Sequence, residues 1–291
     1  MLRRMILVGA LLAWLAPMAA AETADEVVAK YIAARGGMEK IKSIKSRKVT
    51  GKMVMNGGAM EAPIVMMNRR PRDTRLEFTF QGMTGVQVFD GSGEVAWSIM
   101  PFMGKKEPEA APPEDSKLTA EEADFDGPLV DWKEKGNQIE LVGKEQVEGA
   151  DAFKIKVTRK SGNVDYVYVD AETGLEVKSE QKRVIRGTEL ETETYMSDYK
   201  EIDGVPFPYT LSMGRKGGAE NQRQRLTFEK IETNVAMNDT LFKLPANAVQ
   251  ASAAPKDTTK TAAKPADPKA AAAKPADAKT ADASKTATKK K

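Results

Sequence analysis

The chain of 291 residues contains no Cys and no His. The absence of Cys excludes disulfides and thiolate metal sites, and the absence of His removes the commonest general base and the Ser-His and Cys-His nucleophile pairs. The net charge of +3 is unevenly distributed, because residues 251–291 hold ten Lys and only four Asp. These features leave only carboxylate, Lys or Tyr catalysis open, and they indicate an acidic domain that carries a basic tail.

The first 21 residues predict a cleaved secretory signal. Two arginines precede an apolar run from Met5 to Leu15, which is too short to span a bilayer comfortably, and Ala19-Ala20-Ala21 supplies a cleavage site. We therefore expect a secreted mature chain beginning at Glu22, with an uncleaved anchor as the alternative. Outside the cytoplasm, nucleic acid is not an expected partner.

A helix and then a long series of strands are predicted for residues 22–247. Thr23 and Glu26 have the spacing of a capping box, and the helix that follows should end at Gly36-Gly37. A short helical turn is expected at Met38–Ile41. From residue 46 to residue 231, alternating runs are separated by glycine-containing turns, which predicts an antiparallel sheet of about a dozen strands that curls towards a barrel.

The stretch from Asn68 to Gly104 predicts the wall of an apolar pocket, because three successive runs carry large apolar residues at every second position. Met66 and Met67 are adjacent, so only one can point inward, and the sequence leaves open which. The expected inner face comprises Met53, Met55, Leu76, Phe78, Phe80, Val95, Trp97 and Ile99. The expected mouth comprises Met100, Phe102 and Met103.

Methionine is concentrated in this region. Eight of the fifteen methionines lie within the first five predicted strands: Met53, Met55, Met60, Met66, Met67, Met83, Met100 and Met103. Methionine is flexible and polarisable, so the pattern fits either ordinary core packing or a plastic lining for acyl chains. Capture of Cu(I) by thioethers is a third alternative that no His or Cys supports. We expect no metal site and no cofactor.

The insertion from Lys105 to Gly136 predicts a polar, proline-rich loop followed by one or two short helices that begin at Thr119. Phe125, Leu129, Val130 and Trp132 give these helices an apolar side. Long loops in compact domains are often lids or binding loops, although a packed excursion without a ligand role remains equally open.

Charged residues offer two further alternatives. Glu189, Glu191 and Glu193 share one strand face, as do Glu176 and Glu180, and paired carboxylates can catalyse glycoside hydrolysis. Alternation of Glu and Lys opposite apolar residues is also typical of a solvent-exposed face, which we favour, so no enzyme activity is expected. The arginines around Pro71 indicate either a solvated edge or a residue that fastens the insertion.

The segment 248–291 is rich in Ala, Lys and Pro and has too little apolar surface to offset its chain entropy. We expect a disordered, solvated tail. Attraction to an anionic surface such as lipid head groups is a second interpretation.

Three motifs, in order, resemble the LolA-like family of periplasmic lipoprotein carriers and lipid-binding relatives. Arg70-Pro71 and the strand through Phe80 resemble the family's R-P strand. Asp90-Gly91, Trp97 and Pro101-Phe102 are similar to its D-G-x-x-x-W-x-x-x-P-F hairpin, with a longer spacing here. Leu241–Pro245 resembles the closing F-x-x-P segment.

The resemblance implies a mainly β fold with helices (α+β): a curved, incomplete antiparallel β-barrel of about eleven strands with a helical lid over an apolar cavity. It implies a monomeric carrier of acyl lipid or lipoprotein, which exchanges cargo with inner- and outer-membrane proteins and touches the membrane only peripherally. It also implies that Arg70 holds the lid closed, although Arg69 or Arg72 could take that role. A sensor or scaffold that binds a protein partner with the same half-barrel is the alternative.

Overall fold

The computed structural model describes residues 22–185 and 187–250, which form three α-helices and fourteen strands. The helices are α1 (Ala24–Ala34), α2 (Gly37–Ser43) and α3 (Pro113–Glu122). The strands are β1 (Ser46–Met55), β2 (Met60–Arg69), β3 (Asp73–Phe80), β4 (Met83–Asp90), β5 (Val95–Met100), β6 (Lys105–Ala110), β7 (Gln138–Val147), β8 (Ala150–Thr158), β9 (Val164–Asp170), β10 (Glu176–Ile185), β11 (Thr188–Ile202), β12 (Val205–Arg215), β13 (Gln224–Thr233) and β14 (Val249–Gln250).

One curved, unclosed sheet contains all the strands of this part of the chain, in the order β14-β6-β5-β4-β3-β2-β1-β13-β12-β11-β10-β9-β8-β7. Neighbouring strands are antiparallel, except that β14 runs parallel to β6. The expectation of an incomplete antiparallel barrel is therefore confirmed. The predicted signal at residues 1–21 and the tail from residue 251 lie outside the described residues.

The number of strands is larger than expected, fourteen instead of about eleven. β6 falls in the segment predicted as a polar loop, and β14 lies beyond the predicted domain boundary at residue 247. β6 consists of Lys-Lys-Glu-Pro-Glu-Ala, and its first three residues are exposed. Only the two-residue β14 lies beyond β6 in the sheet, and a strand near the sheet edge with charged residues and Pro lacks the apolar alternation by which strands are recognised in a sequence.

The first helix forms as its sequence predicts. Thr23 Oγ1 accepts a hydrogen bond from the Glu26 backbone N–H at 3.3 Å, and Glu26 Oε2 accepts one from the Thr23 N–H at 2.7 Å. The helix ends before Gly36, whose φ is +90°. A Cβ at residue 36 would lie 2.2 Å from the Gly204 carbonyl oxygen, so both the backbone conformation and the close approach require glycine.

The helices cover one face of the sheet, which we call the inner face; the opposite face is the outer face. α1 contributes Val27, Val28 and Tyr31 to a core with inward residues of β8 and β9, such as Ile155 and Val167. Leu129 and Val130 of the insertion complete this core and are fully buried. The predicted apolar side of the insertion therefore packs on the inner face.

The insertion helix begins earlier than predicted. α3 starts at Pro113, and Thr119 lies near its end, so the expectation that Thr119 begins the helix is wrong. Proline is favoured in the first turn, where its missing N–H has no helical partner, and Glu114 and Asp115 complement the helix dipole there. The segment read as a proline-rich loop thus contains a helix start.

α3 connects two distant parts of the sheet. The Ala96 N–H of β5 donates to Ser116 Oγ at 3.1 Å, and Asn163, between β8 and β9, donates to Glu121 Oε2 at 2.8 Å. The described residues, 22–185 and 187–250, include no helix with the length and apolar character needed to cross a membrane.

Candidate functional site

The register of the β3–β4 hairpin determines which residues face inward. Gln81 and Gly82 both have positive φ, 49° and 75°, as a two-residue type I′ turn requires. This turn pairs Phe80 with Met83, so that Leu76 lies opposite Gln87 and Phe78 opposite Gly85. Leu76 also pairs with Met66 of β2. Met66 therefore faces inward and Met67 faces outward.

The next hairpin corrects three of the predicted inner-face residues. β4 pairs Phe89 with Ala96 and Val88 with Trp97. Because Phe89 is on the inner face, Val95, Trp97 and Ile99 belong to the outer face, and the prediction that they share a face with Leu76 is wrong. A single residue of register reverses every side chain of a strand, and the apolar alternation of β5 does not reveal that register.

Trp97 has a clear structural role on the outer face. Its Nε1–H donates to the Phe242 carbonyl oxygen at 2.9 Å, and its side chain packs with Val86, Val88 and Phe242. Ile99 and Met67 border the same cluster. The segment that includes Leu241–Pro245 therefore packs on the outer face of the sheet.

The other predicted residues lie on the inner face or at its rim. Met53, Met55, Leu76 and Phe78 belong to one cluster with Phe125 of the insertion. Phe102 lies at the rim, where its ring centroid is 5.4 Å from that of Phe78 and 6.5 Å from that of Phe80. Met100, which belongs to the same strand face as Ala96, is buried, whereas Met103 is 68% exposed.

A cavity of about 440 Å³ lies between α3 and strands β2 to β5. Apolar residues of its wall include Met66, Leu76, Ala96 and Ala123, and the outer-face residues Val88 and Trp97 also border it. Sequence reasoning missed the polar part of the wall, which comprises Asn68, Thr74, Arg75, Gln87, Ser98, Thr119 and Glu122. Of these, Thr74 and Gln87 could have been found from the β3–β4 pairing that a Gln81-Gly82 turn imposes. Burial raises the pKa of the Glu122 carboxyl.

The opposite side of α3 borders a larger cleft of about 1090 Å³. Lys117, Ala120 and Glu121 line this cleft, whereas Thr119, Glu122 and Ala123 line the smaller cavity. α3 therefore separates the two spaces.

Arg70 fastens the segment that follows α3. Its Nη2 donates to Asp126 Oδ1 at 2.7 Å, and its Nη1 contacts Asp126 Oδ2. The same guanidinium donates to the carbonyl oxygens of Ile41 at 2.8 Å and Ile44 at 2.7 Å. It also lies 4.6 Å from the centre of the Phe125 ring. Arg70 thus joins the insertion to the end of α2.

The charges around Asp126 favour its ionised form. Burial alone would raise the pKa of Asp126, but hydrogen bonds from Arg70 and Lys42 outweigh burial and hold the pKa below its usual value. Lys42 Nζ lies 3.0 Å from Asp126 Oδ2 and also contacts Asp131. The carboxylate of Asp126 is consequently shared by two cations.

The other two arginines near Pro71 point elsewhere. Arg69 pairs with Asp73 and Asp239, each at 2.6 Å, and Arg72 pairs with Glu94 at 2.7 Å. Among the described residues, Arg70 is therefore the arginine of this group that contacts the insertion by an ion pair.

A smaller cavity of about 170 Å³ lies on the inner face beneath Phe125. Arg35, Arg47 and Glu176 line it together with Tyr31 and Tyr199. Burial raises the pKa of Glu176 to about 7, although Arg35 acts in the opposite direction. Burial lowers the pKa of Arg47 to about 10, with a further contribution from Arg35.

The prediction that the glutamates of β10 and β11 form a solvent-exposed face needs correction. Glu180 and Glu193 are only 4% and 3% exposed, and Lys178 Nζ lies 2.8 Å from Glu180 Oε1 and 3.0 Å from Glu193 Oε2. A bulge between Glu176 and Lys178 sends Glu176 inward and Glu180 outward. Burial opposes ionisation of Glu180, but hydrogen bonds, led by that from Lys178, lower its pKa to about 2.

No protein-family model and no curated protein sequence matches the chain. Solved structures do resemble it. The LolA superfamily protein NE2245 from Nitrosomonas europaea is 14% identical with a TM-score of 0.50, over 77% of this chain and 98% of that one. A putative outer membrane lipoprotein-sorting protein domain from Vibrio parahaemolyticus is 13% identical with a TM-score of 0.49, over 75% and 94%.

A DUF1329 family protein from Desulfovibrio piger is 14% identical with a TM-score of 0.44, over 76% of this chain and 97% of that one. At such identities, likeness shows the fold alone. With the unclosed sheet and the helix-covered inner face described above, the likeness to NE2245 shows that this chain shares the fold of that LolA superfamily protein.

Proposed function

We propose that the protein is a periplasmic, non-enzymatic carrier that binds an acyl chain of a lipid or lipoprotein on its inner face. The observation that carries this proposal is the cavity of about 440 Å³ under α3, whose wall includes Met66 and Leu76. Its size falls within the range of ligand pockets in proteins. The Met-rich inner face that continues from it towards Phe78 and Phe102 supplies flexible apolar contacts.

The energetics of acyl transfer suit such a cavity. Burying one CH₂ group from water stabilises by about 0.8 kcal/mol. A chain of roughly fifteen carbons would therefore gain on the order of 10 kcal/mol on leaving water, but almost nothing on leaving a bilayer. A carrier that exchanges cargo with membranes therefore needs to bind the acyl chain only slightly more favourably than the bilayer does. It also needs a closing contact that opens readily.

Arg70 is the proposed closure. It holds Asp126, four residues beyond the end of α3, against the end of α2. Release of this contact would allow α3 to move and would join the cavity to the larger cleft on the other side of the helix. Outer-membrane lipoprotein sorting and lipid transfer are the processes in which such a carrier would act.

The first test is binding of a fluorescent fatty acid to purified residues 22–291, with two matched substitutions. Leu76→Gln places a polar group in the cavity wall and should weaken binding about tenfold or more, the equivalent of about two lost CH₂ contacts. Val65→Gln changes a similarly half-buried residue on the outer face of β2 and should leave binding unchanged. Equal affinities for both variants would refute the proposed site.

The second test concerns closure. Arg70→Leu should speed both uptake and release of the probe, because it removes the contacts to Asp126 and α2. Arg72→Leu makes the same change in charge two residues away, where the arginine pairs with exposed Glu94, and should have no effect. Mass spectrometry of organic extracts from the purified protein identifies any cargo. Consistent absence of acyl lipid, with a stable protein complex in its place, would favour a scaffold.

A further inference from the structure

Arg47 is a cation on the inner face that has no carboxylate partner in the described part of the chain. It pairs with Asn68 across β1 and β2, on the same face as Val49 and Met66. Its Nη2 donates to Asn68 Oδ1 at 3.3 Å, a long hydrogen bond to a neutral group. Within residues 22–185 and 187–250, no Asp or Glu oxygen lies within 4.0 Å of its guanidinium, whereas Arg70 and Lys42 share Asp126.

The surroundings of Arg47 stabilise the charge only in part. The Phe125 and Phe207 rings each lie 5.5 Å from its guanidinium carbon, and such cation–π contacts are favourable. Aromatic rings offer no lone pair, however, and the enclosed Nε–H has no acceptor among the described residues. A buried cation is costly without a hydrogen-bonded counter-charge. An anion would remove this cost.

The position of Arg47 connects it to the acyl-chain cavity. Arg47 lines the cavity of about 170 Å³, and its neighbour Asn68 lines the cavity of about 440 Å³. The pair lies two residues along the strands from the pair of Val49 and Met66, which is about 7 Å. A chain lying along Met66 and Leu76 would therefore end beside Asn68 and Arg47.

The charges around the smaller cavity are also complementary to an anion. Arg35 donates to the Tyr31 hydroxyl at 2.8 Å and to the Asp126 carbonyl at 3.3 Å, and like Arg47 it has no carboxylate partner within ion-pair distance in the described residues. Glu176 also lines this cavity, and its burial favours the neutral form. Ion pairs to Arg70 and Lys42 already neutralise Asp126.

We propose that Arg47 binds the anionic head group, a carboxylate or phosphate, of the ligand whose acyl chain occupies the larger cavity. Among lipids, the ligand class is then an anionic amphiphile. The planar guanidinium suits both groups because it can donate two parallel hydrogen bonds to them. Asn68 assists, because its Oδ1 accepts a hydrogen bond from Arg47 and its amide group can donate hydrogen bonds to an anion through Nδ2. This inference rests on the proposed acyl-chain binding.

The test compares ligands with the same chain and different head groups, below their aggregation concentrations. Oleate and oleoyl lysophosphatidate are anionic, whereas 1-monooleoylglycerol is uncharged. Each would displace the fluorescent fatty acid from the wild type and from Arg47→Met, Arg47→Lys and Lys48→Met. The Lys48 variant makes the same change in charge on the outer face of β1, one residue away.

We expect the wild type to bind oleate at least about tenfold more tightly than 1-monooleoylglycerol, as a charge-assisted hydrogen bond predicts. Arg47→Met should abolish this preference while retaining binding of the uncharged ligand. Arg47→Lys should restore part of the preference, and Lys48→Met should leave it unchanged. An anionic preference that is absent from the wild type, or that survives Arg47→Met, would overturn the proposal while acyl binding stands.

A measurement on the wild type avoids dependence on a folded Arg47→Met variant. The Arg47 Nε–H resonance, assigned by its loss in Arg47→Lys, should shift with oleate and stay unchanged with 1-monooleoylglycerol. Equal shifts with both ligands would contradict the head-group role. An equal shift with inorganic phosphate alone would mean that the anion binds without the chain, which also overturns the proposal. If no amphiphile binds, the proposed function itself fails.

Discussion

Arg70 and Asp126 form a two-point contact in which both carboxylate oxygens of Asp126 face the same guanidinium. Asp126 is 5% exposed at its side chain and Arg70 19%. Because Arg70 also donates to the carbonyl oxygens of Ile41 and Ile44, a single side chain connects the β2–β3 turn, the end of α2 and the segment after α3. The stability of the insertion should therefore depend strongly on this pair.

Asp126→Asn should lower the free energy of unfolding by about 2 kcal/mol at pH 7, because it leaves Arg70 partly buried without its counter-charge. Urea denaturation measures the change. The pKa of Asp126 is held below its usual value, so the ionised carboxylate stabilises the folded wild type. The greater stability of the wild type over Asp126→Asn is therefore present above about pH 4 and is lost as the pH falls.

The control is Asp131→Asn, the same substitution five residues later. Asp131 contacts Lys42 and is 29% exposed, so its loss should cost less than about 1 kcal/mol. Equal losses of stability for the two variants would contradict the special role of the pair with Arg70.

Glu176→Gln should make stability less dependent on pH. Burial raises the pKa of Glu176 to about 7, whereas a carboxyl in the unfolded chain titrates near 4.3. The folded state thus prefers the protonated form, and the wild type loses stability as the pH rises from about 4 through 7. Glu176→Gln keeps the neutral form, so its free energy of unfolding relative to that of the wild type should rise by about 3 kcal/mol between pH 4.5 and pH 8. If the difference in the free energy of unfolding between Glu176→Gln and the wild type were the same at both pH values, the raised pKa of Glu176 would be contradicted.

Gly85→Ala should disturb the aromatic rim. A Cβ there would lie 2.7 Å from Phe78 Cζ and 2.8 Å from Phe102 Cε1, so one of the rings must move. We expect a loss of about 1 kcal/mol in the free energy of unfolding, since ring ends can shift more easily than backbone. A double-mutant cycle with Phe102→Ala checks the cause. The Gly85→Ala cost should shrink in that background, and an unchanged cost would point away from Phe102.

Lys178→Met should be strongly destabilising. The change leaves two nearly inaccessible carboxylates, Glu180 and Glu193, without the ammonium group between them, at a cost of about 3 kcal/mol. Lys182→Met is the matched control, because Lys182 lies on the same strand, is 47% exposed and pairs with Glu189, which is 53% exposed. That variant should cost less than about 1 kcal/mol. Similar losses of stability for the two variants would show that burial of Lys178 with Glu180 and Glu193 contributes little.

The sequence predicts the type of fold well. Local patterns suffice for α1, because a capping box and a glycine stop act within one helix, and for the central strands, because alternation is a local property. β6 and α3 escape detection. β6 is a strand of mostly charged residues next to the two-residue edge strand β14, and α3 begins inside a proline-rich run.

The site is harder to predict than the fold, because it depends on which residues of neighbouring strands lie on the same face of the sheet. Leu76 and Trp97 belong to equally apolar strands, yet the hairpin registers place Leu76 on the inner face and Trp97 on the outer face. Burial of Glu180 and Glu193 escapes prediction for a similar reason. Their neighbour Lys178 becomes a shared partner only when β10 and β11 pair. Cross-strand relationships of this kind are absent from any single segment.

In the proposed carrier, Arg70 and the wall of the cavity have separate roles, and this has one consequence for evolution. Closure would depend on a few charged atoms at one end of the insertion, whereas binding of an acyl tail would depend on many weak contacts along β2 and β3. A substitution at residue 70 or 126 would retune the speed of exchange and leave chain-length preference intact. Changes at Met66 or Leu76 would do the reverse, so the two traits are free to diversify separately.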